Sequence, residues 1–181
     1  QAAGLGMRHP GGKWDETALL RAADEQRASG NLRGALHWTG AATTRSDDAG
    51  LWLDYALLSR ALAGQEPREA RGWHERALSA SVNAWLRAGP APLQVSALEV
   101  MARSLEALDR GRDMIPALRL AQSIAPREEV AELLDSAVAR FGFRITGTEV
   151  ESDQARPRIC ARFSEALVPA GVDYATYVRL P

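Results

Sequence analysis

The hydrophobic period of this chain changes once, near Phe141-Gly142, and that single change limits it to a helical body followed by a short β segment. From Trp14 to Arg140 the sequence is rich in Ala, Leu and Arg, with apolar residues at helical spacing. Beyond Phe141 the run Phe143-Arg144-Ile145-Thr146-Gly147-Thr148-Glu149-Val150-Glu151 alternates, and Arg158-Ile159-Cys160-Ala161-Arg162-Phe163 follows Pro157 as a second short strand. An isolated pair of strands is marginally stable at best in water. The chain therefore reads as a piece of something longer, with its strands expected to pair with each other, with the helical body or with a second copy of the chain.

The helical part repeats a design. An amphipathic run from Trp14 to Ser29 leads to the turn Gly30-Asn31 and a second helix opening at Leu32-Arg33-Gly34-Ala35. A second pair runs from Leu51 to Leu62, turns at Gly64-Gln65-Glu66-Pro67, and continues from Ala70 to Leu78. A third runs from Val95 to Leu108, turns at Asp109-Arg110-Gly111, and continues from Asp113 to Ser123. Paired antiparallel helices need a small residue where backbones approach, so Ala23, Ala56 and Ala102 are expected at the close contacts of the first helices and Ala35 and Ala70 at those of the second. Met114 departs from that rule, as Gln26 and Ser59 depart from the large residue expected one turn on, where Leu105 fits. The spacing of roughly 34 residues resembles tetratricopeptide repeats. Ser81 to Gln94 breaks the period, and Trp85, Leu86, Gly89, Pro90 and Pro92 predict a short helical turn followed by a proline-stiffened loop. Arg127 to Phe141 reads as a capping helix with Val130, Leu133, Leu134, Val138 and Phe141 on one side. The fold expected is mainly α: a right-handed tetratricopeptide-like superhelix over residues 14–141, after a flexible leader at 1–13 and before an incomplete β-sandwich at 142–181.

Composition narrows the partners. A net charge of −1, with mixed charges along the helices, gives no footprint for nucleic acid. No apolar stretch reaches the ~18 residues of a membrane span. The chain opens on Gln1 rather than Met, so its natural start is expected to have been removed or to lie upstream, and the absence of an export signal says nothing about export. Lys13 is the only lysine among many arginines, a bias of the kind a GC-rich bacterial genome produces. The lone Cys160 has no partner for a disulfide or zinc site, and its place beside Ile159 and Phe163 predicts a small buried hydrophobe.

No catalytic constellation can be assembled, and no cofactor is expected. His9, His37 and His74 are scattered, which favours packing histidines over metal ligands. Gly4-Leu5-Gly6 and Gly11-Gly12 follow no strand and so make no phosphate loop. Asp47-Asp48 and Glu128-Glu129 sit at expected helix starts, where acids cap and complement the dipole. Trp14, Trp38, Trp52, Trp73 and Trp85 fall beside small residues and are expected to fill gaps between helices, with a groove of exposed aromatics as the alternative. On the repeat register the concave face would carry Asp24, Arg27, Arg60, Glu99, Arg103 and Glu106, a mixed-charge surface suited to a polar peptide or a neighbouring domain, or simply to solvent.

The segments Gly142-Phe143-Arg144-Ile145-Thr146, Pro157-Arg158-Ile159-Cys160-Ala161-Arg162-Phe163-Ser164-Glu165-Ala166-Leu167 and Asp173-Tyr174-Ala175-Thr176-Tyr177-Val178 resemble the opening of the first macroglobulin-like domain of bacterial alpha-macroglobulins. In that family a strand ends in a Phe-Ser-Glu phrase, and an Asp-Tyr-x-x-Tyr-Val phrase leads into the next strand of a β-sandwich. The resemblance implies a periplasmic or cell-envelope protein that traps proteases: cleavage of a bait region collapses the chain around its attacker, and thioester-bearing members capture it through Cys-x-Glu-Gln. Neither the bait nor that motif is in this sequence, and Cys160, followed by Ala161-Arg162, is not the thioester cysteine. Target proteases would then engage the remainder of the protein. The helical repeats would meet a neighbouring domain or a peptide, either as an interaction module or as a spacer. The alternative is a free-standing helical-repeat adaptor.

Overall fold

The computed structural model describes residues 2–46, 48–151, 158–168 and 170–177, in two compact units, residues 1–141 and 142–181. Among the described residues the first unit is eight helices: α1 (Ala2–Arg8), α2 (Glu16–Ala28), α3 (Leu32–Thr43), α4 (Ala49–Gln65), α5 (Ala70–Arg87), α6 (Ala91–Ala107), α7 (Gly111–Ile124) and α8 (Glu128–Phe141). They pack in sequential pairs, α2 on α3, α4 on α5 and α6 on α7, with α8 against α7.

Each boundary has a local cause. Asp15, Asn31 and Asp48 accept hydrogen bonds from the backbone N–H of Ala18, Gly34 and Leu51, capping α2, α3 and α4. Asp47 lies outside the described residues. The α2–α3 turn closes with Gly30 at φ 77° and a bond from Asn31 N–H to the Gln26 carbonyl. The α6–α7 turn repeats it, with Asp109 at φ 61° and a bond from Arg110 N–H to the Leu105 carbonyl. Both are left-handed helix ends closed by a six-to-one bond, so Gln26 and Leu105 are equivalent positions, as are Ala23 and Ala102.

The small residues lie where close packing needs them. Ala23, Ala56, Ala102 and Ala35 are buried, Ala70 is half-buried, and Met114 is buried at 1% exposure, filling the place where the other units carry alanine. Ser59 is buried although polar, because its hydroxyl donates to the Tyr55 carbonyl at 2.8 Å, one turn back. One core, with Leu36, Trp52, Tyr55, Leu62 and Trp73, joins α3, α4 and α5, takes in Leu5 of α1 and reaches Ala97 and Val100 of α6. A second, with Leu98, Leu105, Met114, Leu118 and Val130, joins α6, α7 and α8. Trp85 packs against both. A smaller cluster of Leu19, Ala41 and Ala42 holds α2 to α3.

Four expectations for the helical unit are corrected. The segment before Trp14 is no flexible leader: it holds α1, buries Leu5 and His9, and is tied down where Arg45 donates to the Gly12 carbonyl at 2.7 Å. The stretch from Ser81 to Gln94 is no long loop. Helix α5 runs unbroken to Arg87 and α6 starts at Ala91, because the prolines fall outside or in the first turn of a helix, where a missing N–H costs nothing. The extra residues lengthen two helices instead. Val138 is exposed, its place on the apolar stripe of α8 taken by Ala137. Of the tryptophans, Trp52 and Trp73 are buried and Trp38 and Trp85 half-buried, but Trp14 is half-exposed and stacks on Trp38 at 4.9 Å.

In the second unit β1 (Ile145–Glu151) and β2 (Arg158–Phe163) pair antiparallel, with a bulge between Ile145 and Gly147. The pairs Ile145–Phe163, Thr148–Ala161 and Val150–Ile159 share one face, and Gly147–Arg162, Glu149–Cys160 and Glu151–Arg158 the other. Cys160 is exposed rather than buried: the described residues of the ribbon are open on both faces, Ile159 as well as Cys160, and Cys160 shares its face with Glu149, Arg158 and Arg162. Tyr174–Tyr177 forms a short 3₁₀ turn, and Val178, expected to lead into a further strand, lies outside the described residues.

Candidate functional site

The six charged residues expected on one face divide into three linked groups. Arg27 lies 3.6 Å from Asp24 on its own helix and 3.5 Å from Asp54 on α4. Arg103 pairs with Glu99 at 3.0 Å on α6, and both act electrostatically on Arg60 of α4. Glu106 pairs with Arg140 of α8. The charges thus tie α2 to α4, α4 to α6 and α6 to α8. Arg60 is the least satisfied of them: its Nε is buried without a hydrogen-bond partner, and burial, then Arg103, draws its pKa below the ordinary value against the pull of Glu99. A neighbouring group on the α3–α5 side is better satisfied, with Arg33 donating to Glu66 at 2.6 Å from both Nε and Nη2, and the Trp73 indole N–H donating to the same carboxylate at 2.8 Å.

A cleft of about 510 Å³ opens elsewhere, between α1, α4 and α5. Helix α5 contributes Gly72, Glu75, Arg76, Ser79, Ala80 and Asn83, which recur at three- and four-residue steps and so form one face. Helix α4 contributes Trp52 and Tyr55, and α1 contributes Gly4, Leu5 and Arg8. The α1 wall is held by aromatic contacts: His9 Nε2 sits 2.8 Å from the Tyr55 hydroxyl, and the His9 ring meets His37 and Tyr55 edge-on at 5.5 and 5.4 Å. The approach is permitted by Gly40 of α3, where an added Cβ would fall 2.5 Å from the His9 ring.

Positive charge gathers here. Arg8 and Arg76 both act electrostatically on the Tyr55 phenol, although burial is the larger influence and raises the phenol pKa. Arg76 stacks over Trp73 at 4.3 Å and Arg87 lies over Trp52 at 5.5 Å. The Trp52 indole N–H is buried without a hydrogen-bond partner among the described residues, unlike that of Trp73. Sequence reading missed this site because Gly4 and Gly6 hide a helix in the leader. The i, i+4 pair Leu5 and His9 was its only signal.

Burial, then the electrostatic influence of His37, Arg8 and Arg76, lowers the His9 pKa from 6.5 to about 4. Between those values the unfolded chain binds a proton that the folded chain refuses. Stability therefore falls as pH drops from 6.5 toward 4, by at most ~1.4 kcal/mol per pH unit and roughly 3 kcal/mol in all. Thermal melts of the native chain and of His9→Gln across that range check this: the native chain loses its advantage as the pH falls, whereas a constant gap would contradict it.

Among the described residues no three His, Cys, Asp or Glu side chains come together as a metal site, and no helix is long and apolar enough to cross a membrane. Compared with protein-family models and with curated proteins, the chain matches neither.

Proposed function

We propose that this chain is the N-terminal interaction or spacer module of a bacterial alpha-macroglobulin-like protease trap of the cell envelope, its helices forming a tetratricopeptide-like array and its strands opening a β-sandwich. The observation that carries the reading is the two-stranded ribbon. Its apolar face exposes Ile145, Val150 and Ile159, each more than half accessible, while its other face carries Glu149, Arg158, Cys160 and Arg162. An amphipathic ribbon of this kind gains stability when a second sheet covers its apolar side, the arrangement of a sandwich. The phrases Phe163-Ser164-Glu165 and Asp173-Tyr174-Ala175-Thr176-Tyr177-Val178 supply the family.

The test uses the full-length protein encoded by the gene. After incubation with a protease, a trap leaves the enzyme active on a small peptide substrate and inactive on a large protein substrate, and the trap itself is cleaved once in a bait segment. Equal activity on both substrates would discard the reading. The second reading, a free-standing helical-repeat adaptor, is favoured by the cores of the first unit, all of whose residues lie between Leu5 and Phe141. A reading frame that stops shortly after Pro181 would select it.

A further inference from the structure

We propose that the cleft between α1, α4 and α5 binds a short acidic peptide segment, with Arg8 and Arg76 receiving a carboxylate beside the Tyr55 hydroxyl. The inference concerns the helical unit alone and does not rest on the macroglobulin-like reading. Three observations carry it.

The first is charge. Arg8 and Arg76 line the cleft and, among the described residues, neither pairs with a carboxylate, whereas most of the arginines in the charged groups described above do. Glu75 is the one acid in the lining, and it pairs with Arg71, on the same helix, at 3.4 Å. Guanidinium groups receive carboxylates through paired N–H donors, and two of them at the rim of a half-apolar cleft select an anion more strongly than they would in open water.

The second is shape. From Gly72 to Asn83 the α5 wall is about 16 Å long at 1.5 Å per residue, which matches roughly five residues of extended chain at 3.3 Å each. Gly72 and Gly4 have open space where a side chain would stand, and Ser79 and Ala80 are small, so a backbone can lie close against the wall. A volume of about 510 Å³ is that of a ligand pocket and far exceeds one carboxylate or phosphate, so the site fits a segment with apolar side chains as well as the anion.

The third is the unsatisfied donor. Trp52 is 4% exposed, lines the cleft, and leaves its indole N–H without a partner. A buried donor in that state costs about 1–3 kcal/mol. A peptide carbonyl seated here, with a small turn of the ring, would recover part of it.

The experiment titrates the 181-residue chain with a fluorescein-labelled pentapeptide of alternating Glu and Leu, and in parallel with the Gln–Leu analogue and with inorganic phosphate. Binding is read by anisotropy for the peptides and by tryptophan emission for all three. Saturable binding of the Glu–Leu peptide, at least tenfold weaker for the Gln–Leu analogue and at least tenfold weaker in Arg8→Gln/Arg76→Gln, is the expected result. Far-ultraviolet circular dichroism and melting establish that the double variant is folded. Arg21→Gln/Arg119→Gln, which removes two arginines outside the cleft, should bind as the native chain does. No binding of the Glu–Leu peptide, equal binding by a folded Arg8→Gln/Arg76→Gln variant, or phosphate competing as well as the peptide would each overturn the proposal, the last by reducing the site to a simple anion site.

Discussion

Replacing Ala56 with Trp is expected to abolish the cooperative unfolding of the first core, while Leu57→Trp, one residue away, leaves it nearly unchanged. Ala56 is fully buried in α4, in the cluster that includes Leu36, Tyr55, Leu62 and Trp73, and Leu57 is 44% exposed. Even added methylenes in a packed core cost about 1–3 kcal/mol, and an indole at a fully buried alanine must force its neighbours apart. Because α7 and α8 belong to the second core alone, the damage is expected to fall mainly on the first, as in arrays whose units touch mainly their neighbours. Ala102→Trp should reverse the pattern, melting the second core and sparing the first. Hydrogen exchange resolved by segment distinguishes the two, and uniform loss of protection in both variants would show that the cores unfold as one. Unchanged melting of both would overturn the assignment of these alanines as close contacts.

Replacing Gly40 with Val is expected to release α1 and, with it, the cleft. An added Cβ would sit 2.5 and 2.8 Å from His9 ring atoms and 3.0 Å from Tyr55 Cε2. The Tyr55 ring is 2% exposed and fixed in the core, so His9 is the group that must leave. Its departure breaks the Nε2–hydroxyl contact and strips the aromatic cover from α1, which also contributes Leu5 to the first core. The loss is estimated at ~2–4 kcal/mol, from overpacking together with an unsatisfied Tyr55 hydroxyl. Nuclear magnetic resonance gives a second readout: the His9 pKa should return from about 4 toward its ordinary 6.5 as the ring reaches water. A variant that keeps both its melting temperature and the lowered pKa would contradict this account of the approach.

The two expected results have different standing in the sequence. Ala56 and Ala102 were legible because small residues recur at matching places in a helical repeat, and the geometry of paired helices gives that recurrence one meaning. Gly40 was not legible, since its requirement comes from His9, which lies just beyond α1, and nothing in the local sequence joins them.

The charged residues show the same division. Asp24, Arg27, Glu99, Arg103 and Glu106 were picked out by helical register, and register does place ion-pairing groups at three- and four-residue steps, as in Asp24–Arg27 and Glu99–Arg103. It could not reveal that Arg27 would also reach Asp54, or that Glu106 would be held by Arg140, because those partners come from other helices. Nor could it show that Arg60 would have its Nε buried without a partner.

By itself the sequence determined the helical body, its three paired units, the helix after Pro126 and the change to strands after Phe141, because periodicity, caps and turn residues act within a few positions of one another. The tertiary structure alone decided that the leader is a helix packed on α3 and that Arg8, Tyr55 and Arg76 meet at one cleft. The physical reason is the same for both. Helix propensity in a glycine-bearing segment such as Ala2–Arg8 is weak, and what tips it is burial of Leu5 and His9 against residues more than thirty positions away.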